Sequence, residues 1–405
     1  MDTDDRLGNQ PELYLDIASP AKAAQLNAGA FDCDTPVLTA NRAWATVGAI
    51  CVGDEVFHPS GHAAEVVYAG PVTWRRNCYR VTTTDGRSVV VDADHLWTVT
   101  DKRHQRSVGP RGRVVRWFET CTLTTRQMVD EGLSRYATGG RTSITTGKGY
   151  ATNEYRFVLP SQEPLEKADV VLPVDPYLIG AWAGDGTASC AQLTAHIDDV
   201  PHWEAAIVAA GFIPIVRRGG GTDMTRAVGI TCAVGPGRQS RSFGGHLARL
   251  GMLNNKHIPD VYLLAGGCQR EAVLQGLLDT DGTIDAKRGQ VEFCSMSRRL
   301  ADDVVFLARS LGWRATVKEG RAMLAGRDYG PKYRVCFTPT GEDLFTQFRL
   351  PRKVSRIKPV DGGKGRATLS VARIERVTSV PVRCIHVSSR DGLFLVGRDL
   401  VPTHE

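Results

Sequence analysis

Apolar and polar positions change rhythm several times along this chain. Residues 1–29 hold one short helical stretch, PELYLDIASPAKAAQLNAG, ending at Gly29, and are too few for a domain. From Thr35 the pattern becomes strand-like pieces separated by turn residues: TPVLTANRAW, VGDEVFHPSG, EVVYAGPVTW and YRVTTTDGRSVVVDADHLWTVT. Asp85-Gly86 sits between two alternating β-rich runs, which predicts a hairpin. These pieces together predict a compact all-β unit of about 70 residues.

Residues 101–170 are basic and then rich in Gly, Thr and Ser (ATGGRTSITTGKGYATN), the composition of an irregular connection that touches a ligand. From Val174 to Phe348 helical periods alternate with strands, as in YLIGAWAGDG, HWEAAIVAAGF, REAVLQGLLDTDG and RRLADDVVFLARSLGW. Strand character returns after PRKVSRIKPVDGGKGRATLS, in VARIERVTSVPVRCIHVSSRDGLFLVGRDLVPTHE. An α+β block is therefore flanked by two β segments. Each flank is too small to close a core alone, so the two are expected to pair across the insertion.

A chain of 405 residues predicts two or three compact units. Hydrophobic content of 42% and charged content of 23% are those of a soluble globular protein. No apolar run approaches the roughly 18 residues that would span a membrane. The start, MDTDDRLGNQ, lacks the basic and apolar stretches of a secretion signal, and a cytoplasmic location is expected. Ten cysteines are scattered singly with no CxxC pair, which argues against structural zinc and for buried free thiols. The net charge of +6 permits nucleic-acid binding without showing it. Two basic clusters stand out: Lys102, Arg103, Arg106, Arg111, Arg113 and Arg116, and then Arg352, Lys353, Arg356, Lys358, Lys364 and Arg366. A solvated loop explains either cluster equally well.

LIGAWAGDG (178–186) and LQGLLDTDG (274–282) share one pattern: a helix of small and apolar residues, a central glycine, and an acid before a final glycine. Gly180 and Gly276 would let the two helices approach closely. Side by side, the helices would bring Asp185 and Asp281, 96 residues apart, to one point. Two converging carboxylates repel unless a cation neutralises them. With Mg²⁺ as their ligand they could activate water against a phosphodiester. A single copy reads equally as an amphipathic helix ending in an Asp-Gly turn; two copies at half-domain spacing favour the paired site.

The pair resembles the LAGLIDADG (dodecapeptide, DOD-type) homing endonucleases, over roughly residues 174–345. The resemblance implies an α+β fold of αββαββα halves about a pseudo-two-fold axis. It also implies a Mg²⁺-dependent monomer that cuts both strands of a long double-stranded DNA site, with β-ribbons in the major groove. KHIPDVYLLAG (256–266) resembles the family's lysine-containing segment, which makes Lys256 a general acid/base or charge stabiliser; a surface lysine is the plain alternative. FLARSLGWRATV (306–317) resembles its strand-forming stretch, and Lys318 is a candidate for a second basic residue.

CDTPVLTANRAW (33–44), VVVDADHLWTV (90–99) and VRCIHVSSRDGLFLVGRDLVPTHE (382–405) resemble, in order, the first, second and closing segments of inteins. That implies an all-β Hint (hedgehog/intein) splicing fold built from both flanks. The organisation implied is an extein remnant at 1–29, Hint at 30–125, a connecting or DNA-contacting region at 126–173, the endonuclease at 174–348, and Hint again at 349–405.

Counting back from Asp34-Thr35 places the first intein residue at Ala30, which has no nucleophile, while Cys384 stands where many inteins carry aspartate. Trp97, Cys384 and Thr403 resemble the set of class 3 inteins, in which the internal cysteine attacks the upstream junction. His95 would protonate the departing nitrogen of Gly29–Ala30, and Cys384 would form a thioester. Trp97 would exclude water, Thr403 would bond near the nucleophile, and His404 would assist a closing cyclisation. The plain alternatives are a core thiol for Cys384, a hydrogen-bonded core histidine for His95 and a core residue for Trp97; separately, if the count is wrong, Cys33 becomes the nucleophile of a class 1 intein.

The family ends in asparagine, whereas the last residue here is Glu405, so completed splicing is not expected of this chain. Three readings follow: an endonuclease within an intein scaffold, a self-processing intein with a decayed nuclease, and a non-catalytic DNA-binding relic. The partners implied are DNA of the host gene lacking the insertion and the host extein in cis. Such inteins interrupt bacterial or phage ATPases acting on DNA, such as terminases and replicative helicases. Residues 1–29 hold no phosphate-binding loop.

Overall fold

The computed structural model describes residues 29–108, 114–137, 152–218, 223–235, 238–285, 289–339, 346–357 and 368–405. Side chains at 103–118, 135–137, 152–154 and 238 fall outside that description. The helix expected before Gly29 therefore lies outside the described residues. So do Lys358, Lys364 and Arg366, and the side chains of Arg103 to Arg116.

The two flanks share one β structure. A five-stranded sheet interleaves them in the order Val371–Val377, Cys78–Thr83, Ser88–Asp92, Phe31–Asp32, Val382–Arg383. Ile385–Val387 also pairs with Ala63–Ala69. The alternating apolar residues of both flanks meet in one core that includes Phe31, Val56, Val81, Val91, Trp97, Val371, Ile385 and Phe394. Neither flank holds enough of that core by itself, which is the physical reason they pair. The hairpin expected at Asp85-Gly86 is present between Cys78–Thr83 and Ser88–Asp92, with Gly86 at φ 86° where only glycine is unstrained.

Residues 101–170 depart from the irregular connection expected of them. Leu96–Val108 and Val114–Thr124 form a long antiparallel hairpin with a register shift between Asp101 and Gln105. Phe157–Val158 joins that sheet beside Asp101 and Thr100. The basic run from Lys102 to Arg116 interrupts, in the sequence, the apolar alternation by which a strand is recognised. A helix, Thr125–Glu131, follows behind a Thr124–Gln127 capping box.

The inserted block is built on two helices, Pro176–Asp185 and Gly267–Asp281. Asp175 caps the first by accepting from the Leu178 amide at 2.9 Å, and Pro176 fits the first helical turn. After the second helix come Gly282–Asp285, Gln290–Ser295, helix Arg298–Ser310, Ala315–Leu324 and Arg327–Phe337, whose strands form one four-stranded sheet. That half follows the αββ order expected. In the first half the sheet holds three strands among the described residues, and an isolated Gly186–Leu193 bridge stands where a fourth would begin. The segment 306–317, which overlaps the helical period RRLADDVVFLARSLGW and also resembles a strand-forming stretch, finishes a helix at Ser310 and becomes strand at Ala315. Its apolar spacing serves both the amphipathic helix and the strand that follows.

Gly180 and Gly276 sit where the two helices cross. A Cβ on Gly180 would lie 2.0 Å from the Val273 carbonyl oxygen, and one on Gly276 would lie 2.1 Å from that of Tyr177. Gly276→Ala is therefore expected to destabilise the chain by about 1–3 kcal/mol through overpacking. Denaturant unfolding of the full chain measures this, and an unchanged midpoint would show that the helices can part freely.

The block and the flanks pack directly on each other. Trp44 meets Phe306 edge-on at 5.7 Å between ring centroids. Arg309, almost fully buried, pairs with Asp399 and donates to the Asp85 carbonyl at 3.3 Å. Gln162 bridges Arg309 and Arg87 with contacts of 2.8 and 3.0 Å.

Candidate functional site

Two sites emerge. The first lies at the C-terminal ends of the crossing helices. A Cβ on Gly184 would lie 2.0 Å from Thr280 Oγ1 and 3.4 Å from Asp281 Oδ2, so the helix ends touch. Asp185 and Asp281 converge there, as the repeated motif leads one to expect. Burial raises both carboxyls above the ordinary range; Asp281, further opposed by the charge of Asp185, is pushed up to about 6.

A lysine stands at each helix end. Lys256 Nζ donates to the Gly184 carbonyl and lies 5.8 Å from the Trp182 ring centroid. Burial lowers its pKa, against the pull of Asp281 and Asp185. Lys353 Nζ donates to the carbonyls of Leu278, Gly282 and Thr280 at 2.7, 2.8 and 3.1 Å. Burial brings it down to about 8, although Asp279, Asp185 and Asp281 favour its charge. Lys318 is elsewhere: it is exposed on Ala315–Leu324, opposite Arg334. The second lysine at these helix ends is Lys353, a residue that the sequence places in a basic cluster.

Among the described residues no group of three or more His, Cys, Asp and Glu gathers to hold a metal. A protein cage for a cation is thus not what these residues build. The exposed Asp185 and the partly buried Asp281, both with raised pKa values, suit a divalent cation that keeps most of its oxygen ligands as water or phosphate.

The second site lies where the chain enters the flanking sheet. The Ala30 amide donates to Asp92 Oδ1 at 3.1 Å, and the Asp92 amide donates back to the Ala30 carbonyl at 2.9 Å. Arg76 Nε holds the other oxygen of Asp92 at 2.9 Å. Pairing of Phe31 with Arg383 and of Asp32 with Val382 sets Ala30 opposite Cys384 by continuation of the register. Just before Ala30, a Cβ on Gly29 would lie 1.7 Å from the Cα of His95.

His95 is fully buried between Phe31 and Trp97, with ring centroids 4.3 and 5.1 Å away. Its Nε2 and Thr403 Oγ1 are 2.7 Å apart, while Nδ1 is buried with no hydrogen-bond partner among the described residues. Burial, with a smaller effect from His404, pushes its pKa down to about 3, so the ring is neutral at pH 7. Trp97 is likewise fully buried and donates its indole N–H to Thr125 at 3.0 Å. Thr403, expected to bond near the nucleophile, reaches the His95 ring from strand Val401–His404. His404 Nδ1 lies 3.0 Å from the Glu405 backbone oxygen. Cys33 is half-buried against Gly48, and burial with Asp32 raises its pKa.

Cys384 stands at the break between strands Val382–Arg383 and Ile385–Val387. Its Sγ lies 3.5 Å from His386 Nε2. Sequence reading missed Asp92, three residues before His95 in VVVDADHLW, and His386, two after the cysteine. Acid and imidazole that close to named residues were the available signals.

Comparison with known proteins adds the following. Residues 269–336 match the LAGLIDADG-like domain family. The chain is 31% identical over 398 residues to a protein described as replicative DNA helicase DnaB from Mycobacterium intracellulare, covering 96% of this chain and 60% of that one. A DnaB helicase of Mycobacterium leprae is 38% identical over 64 residues, 16% of this chain and 10% of the relative. This chain thus spans about three-fifths of the length of the first relative. Among solved structures, the MchDnaB-1 intein (N145AA) is 13% identical at a TM-score of 0.25, covering 92% of this chain and 98% of its own. A mesophilic variant of the homing endonuclease I-DmoI is 14% identical at a TM-score of 0.30, covering 45% of this chain and 94% of its own.

Proposed function

We propose that this chain is an intein carrying a LAGLIDADG-like domain, the family that its residues 269–336 match, and that it cuts double-stranded DNA at a specific site with Mg²⁺. The observation that carries this is the meeting of Asp185 and Asp281 at the touching ends of two helices, with a lysine on each end. Two halves in one chain supply both acids about a pseudo-two-fold axis, so a monomer suffices. Asp185 and Asp281 would hold Mg²⁺, which supplies water activation and charge neutralisation at the phosphate. Lys256 and Lys353 place ammonium groups where negative charge would build up on phosphate oxygens. The strands of the two sheets, among them Ile213–Arg218 and Ala315–Leu324, are proposed to lie along the DNA.

The experiment is incubation of the purified chain and Mg²⁺ with duplex DNA spanning the insertion point of an uninterrupted host gene. A double-strand cut is expected there. Below about pH 6 the Mg²⁺ needed for half-maximal cutting should rise roughly tenfold per pH unit, as protons compete for Asp281. No cutting at any metal concentration would discard the nuclease reading.

A second activity is favoured by the orphaned Nδ1 of His95 and by the placing of Ala30 opposite Cys384. The Cys384 thiolate is proposed to attack the Gly29 carbonyl, as in class 3 inteins, while His95 delivers a proton to the Ala30 nitrogen. Asp92 holds that nitrogen, Thr403 fixes the His95 ring, and Trp97 seals it from water. His404 lies next to this group. Glu405 has no side-chain amide nitrogen, so cyclisation is not a step open to that residue. The proposed host is a replicative helicase of a bacterial or phage-infected cytoplasm, with its extein in cis.

A further inference from the structure

His386 and Glu405 lie around the proposed nucleophile in a way that the chemistry assigned so far does not use. His386 is nearly buried on Ile385–Val387, at a register shift that leaves it opposite Tyr68, with 5.3 Å between ring centroids. Its Nε2 faces Cys384 Sγ at 3.5 Å, and its Nδ1 lies 3.5 Å from Glu405 Oε2. Glu405 is fixed in turn: Oε2 accepts from the Val387 amide at 2.7 Å, and the Glu405 amide donates to Gly392 at 2.9 Å. A nucleophile, an imidazole and an orienting carboxylate thus stand in sequence, the order by which hydrolases and transferases activate a side chain.

We propose that His386 is the base that deprotonates Cys384, and that Glu405 is a positioning residue holding the imidazole for that task. The inference rests on Cys384 being the nucleophile at Gly29–Ala30. His386 Nε2 takes the thiol proton. Sγ then bonds to the Gly29 carbonyl carbon, the bond from that carbon to the Ala30 nitrogen breaks, and the nitrogen takes the ring N–H hydrogen of His95, which is replaced by the thiol proton passed on from the His386 imidazolium. Thiol and amide become thioester and amine with no net change in protons. The two histidines divide the labour. His95, neutral and held by Thr403, attends the leaving nitrogen; His386 attends the sulfur.

The electrostatics agree. Burial would lower the His386 pKa, but its bonds to Cys384 and Glu405 outweigh burial and lift it to about 9. Glu405 is held below the usual carboxylate range by the His386 imidazole and the Val387 amide, despite its burial. The other charged groups nearby are His404, which acts on Glu405, and Arg383, whose guanidinium is taken up by the carbonyls of Gly48, Ile50 and Gly70.

The test is the rate of iodoacetamide alkylation of Cys384 at pH 7, read by peptide mass spectrometry on the full chain, with exposed Cys51 as the internal reference. An ordinary thiol is only a few per cent thiolate at that pH, so His386→Asn should slow Cys384 about tenfold and leave Cys51 unchanged. Equal Cys384 rates in a variant that melts like the parent would overturn the proposal. If His386→Asn does not fold, Glu405→Gln decides: a loss of about threefold supports the proposal and an unchanged rate overturns it. Alkylation is independent of peptide cleavage. A His386-dependent thiol with no product beginning at Ala30 would therefore remove the cleavage reading on which the inference rests, while an independent Cys384 rate would overturn the role of His386 itself, so the two failures are told apart.

Discussion

Asp281→Asn is expected to lower DNA cleavage at least about a thousandfold while making the metal-free protein more stable at pH 7. Asparagine keeps the size of the side chain but removes the negative charge that binds the cation and tunes the attacking water. The stability gain follows from the raised pKa. Asp281 titrates at about 6 in the folded protein against 3.8 for the free side chain, because burial and Asp185 disfavour its charge. A group with a raised folded pKa favours folding below its unfolded pKa, and that contribution is lost as pH rises through the folded value. The charged carboxylate therefore costs about 3 kcal/mol at pH 7, and less in so far as solvent reaches it. The asparagine variant recovers this at pH 7 and gains nothing near pH 4. Urea unfolding at the two pH values, beside cleavage of the same target duplex, measures both halves. Cleavage retained in Asp281→Asn and in Asp185→Asn would rule the paired carboxylates out as the catalytic centre.

That opposition between activity and stability identifies which parts of the site could be read from sequence. The two acids were legible because each ends a local pattern: small residues at helical spacing, a glycine where the helices cross, and an Asp-Gly stop. The close approach at Gly180 and Gly276 bears out the packing that those glycines imply. Pairing of the flanks was legible too, since neither β segment carries enough alternating apolar positions to make a core. Lys353 was not legible. Its charge lies in a run that looks like any solvated basic loop, and only the tertiary path returning past Gly282 brings Nζ to three helix-end carbonyls. Sequence order shows that the last strand returns to the site with Thr403, but not that its hydroxyl meets the His95 ring. The long hairpin after Leu96 was hidden for a related reason: the run of charges from Lys102 to Arg116 leaves no apolar alternation in the sequence by which a half-buried strand is recognised.

Cys384→Ala is expected to abolish cleavage at Gly29–Ala30, lowering the rate at least about a thousandfold, with the DNA-cutting site untouched. Wild-type chain treated with a small thiol should yield a fragment beginning at Ala30, visible by mass spectrometry, as the thiol intercepts the thioester. Alanine removes the only atom of residue 384 able to form that bond. It should cost little stability, because Cys384 lies at a strand break and is only partly buried, at the edge of the small Ala30, Cys78 and Val382 cluster. The alternative alignment makes the opposite forecast. Were Cys33 the nucleophile, the new N-terminus would be Cys33 and Cys384→Ala would leave the yield unchanged. The geometry disfavours that outcome. The Cys33 thiol packs against Gly48, and its pKa is raised by burial and by Asp32, whereas residue 384 faces Ala30 across two paired positions of the sheet. A thiol that burial keeps protonated is a poor nucleophile. One beside an imidazole, opposite the first residue after the scissile bond, is placed to attack it.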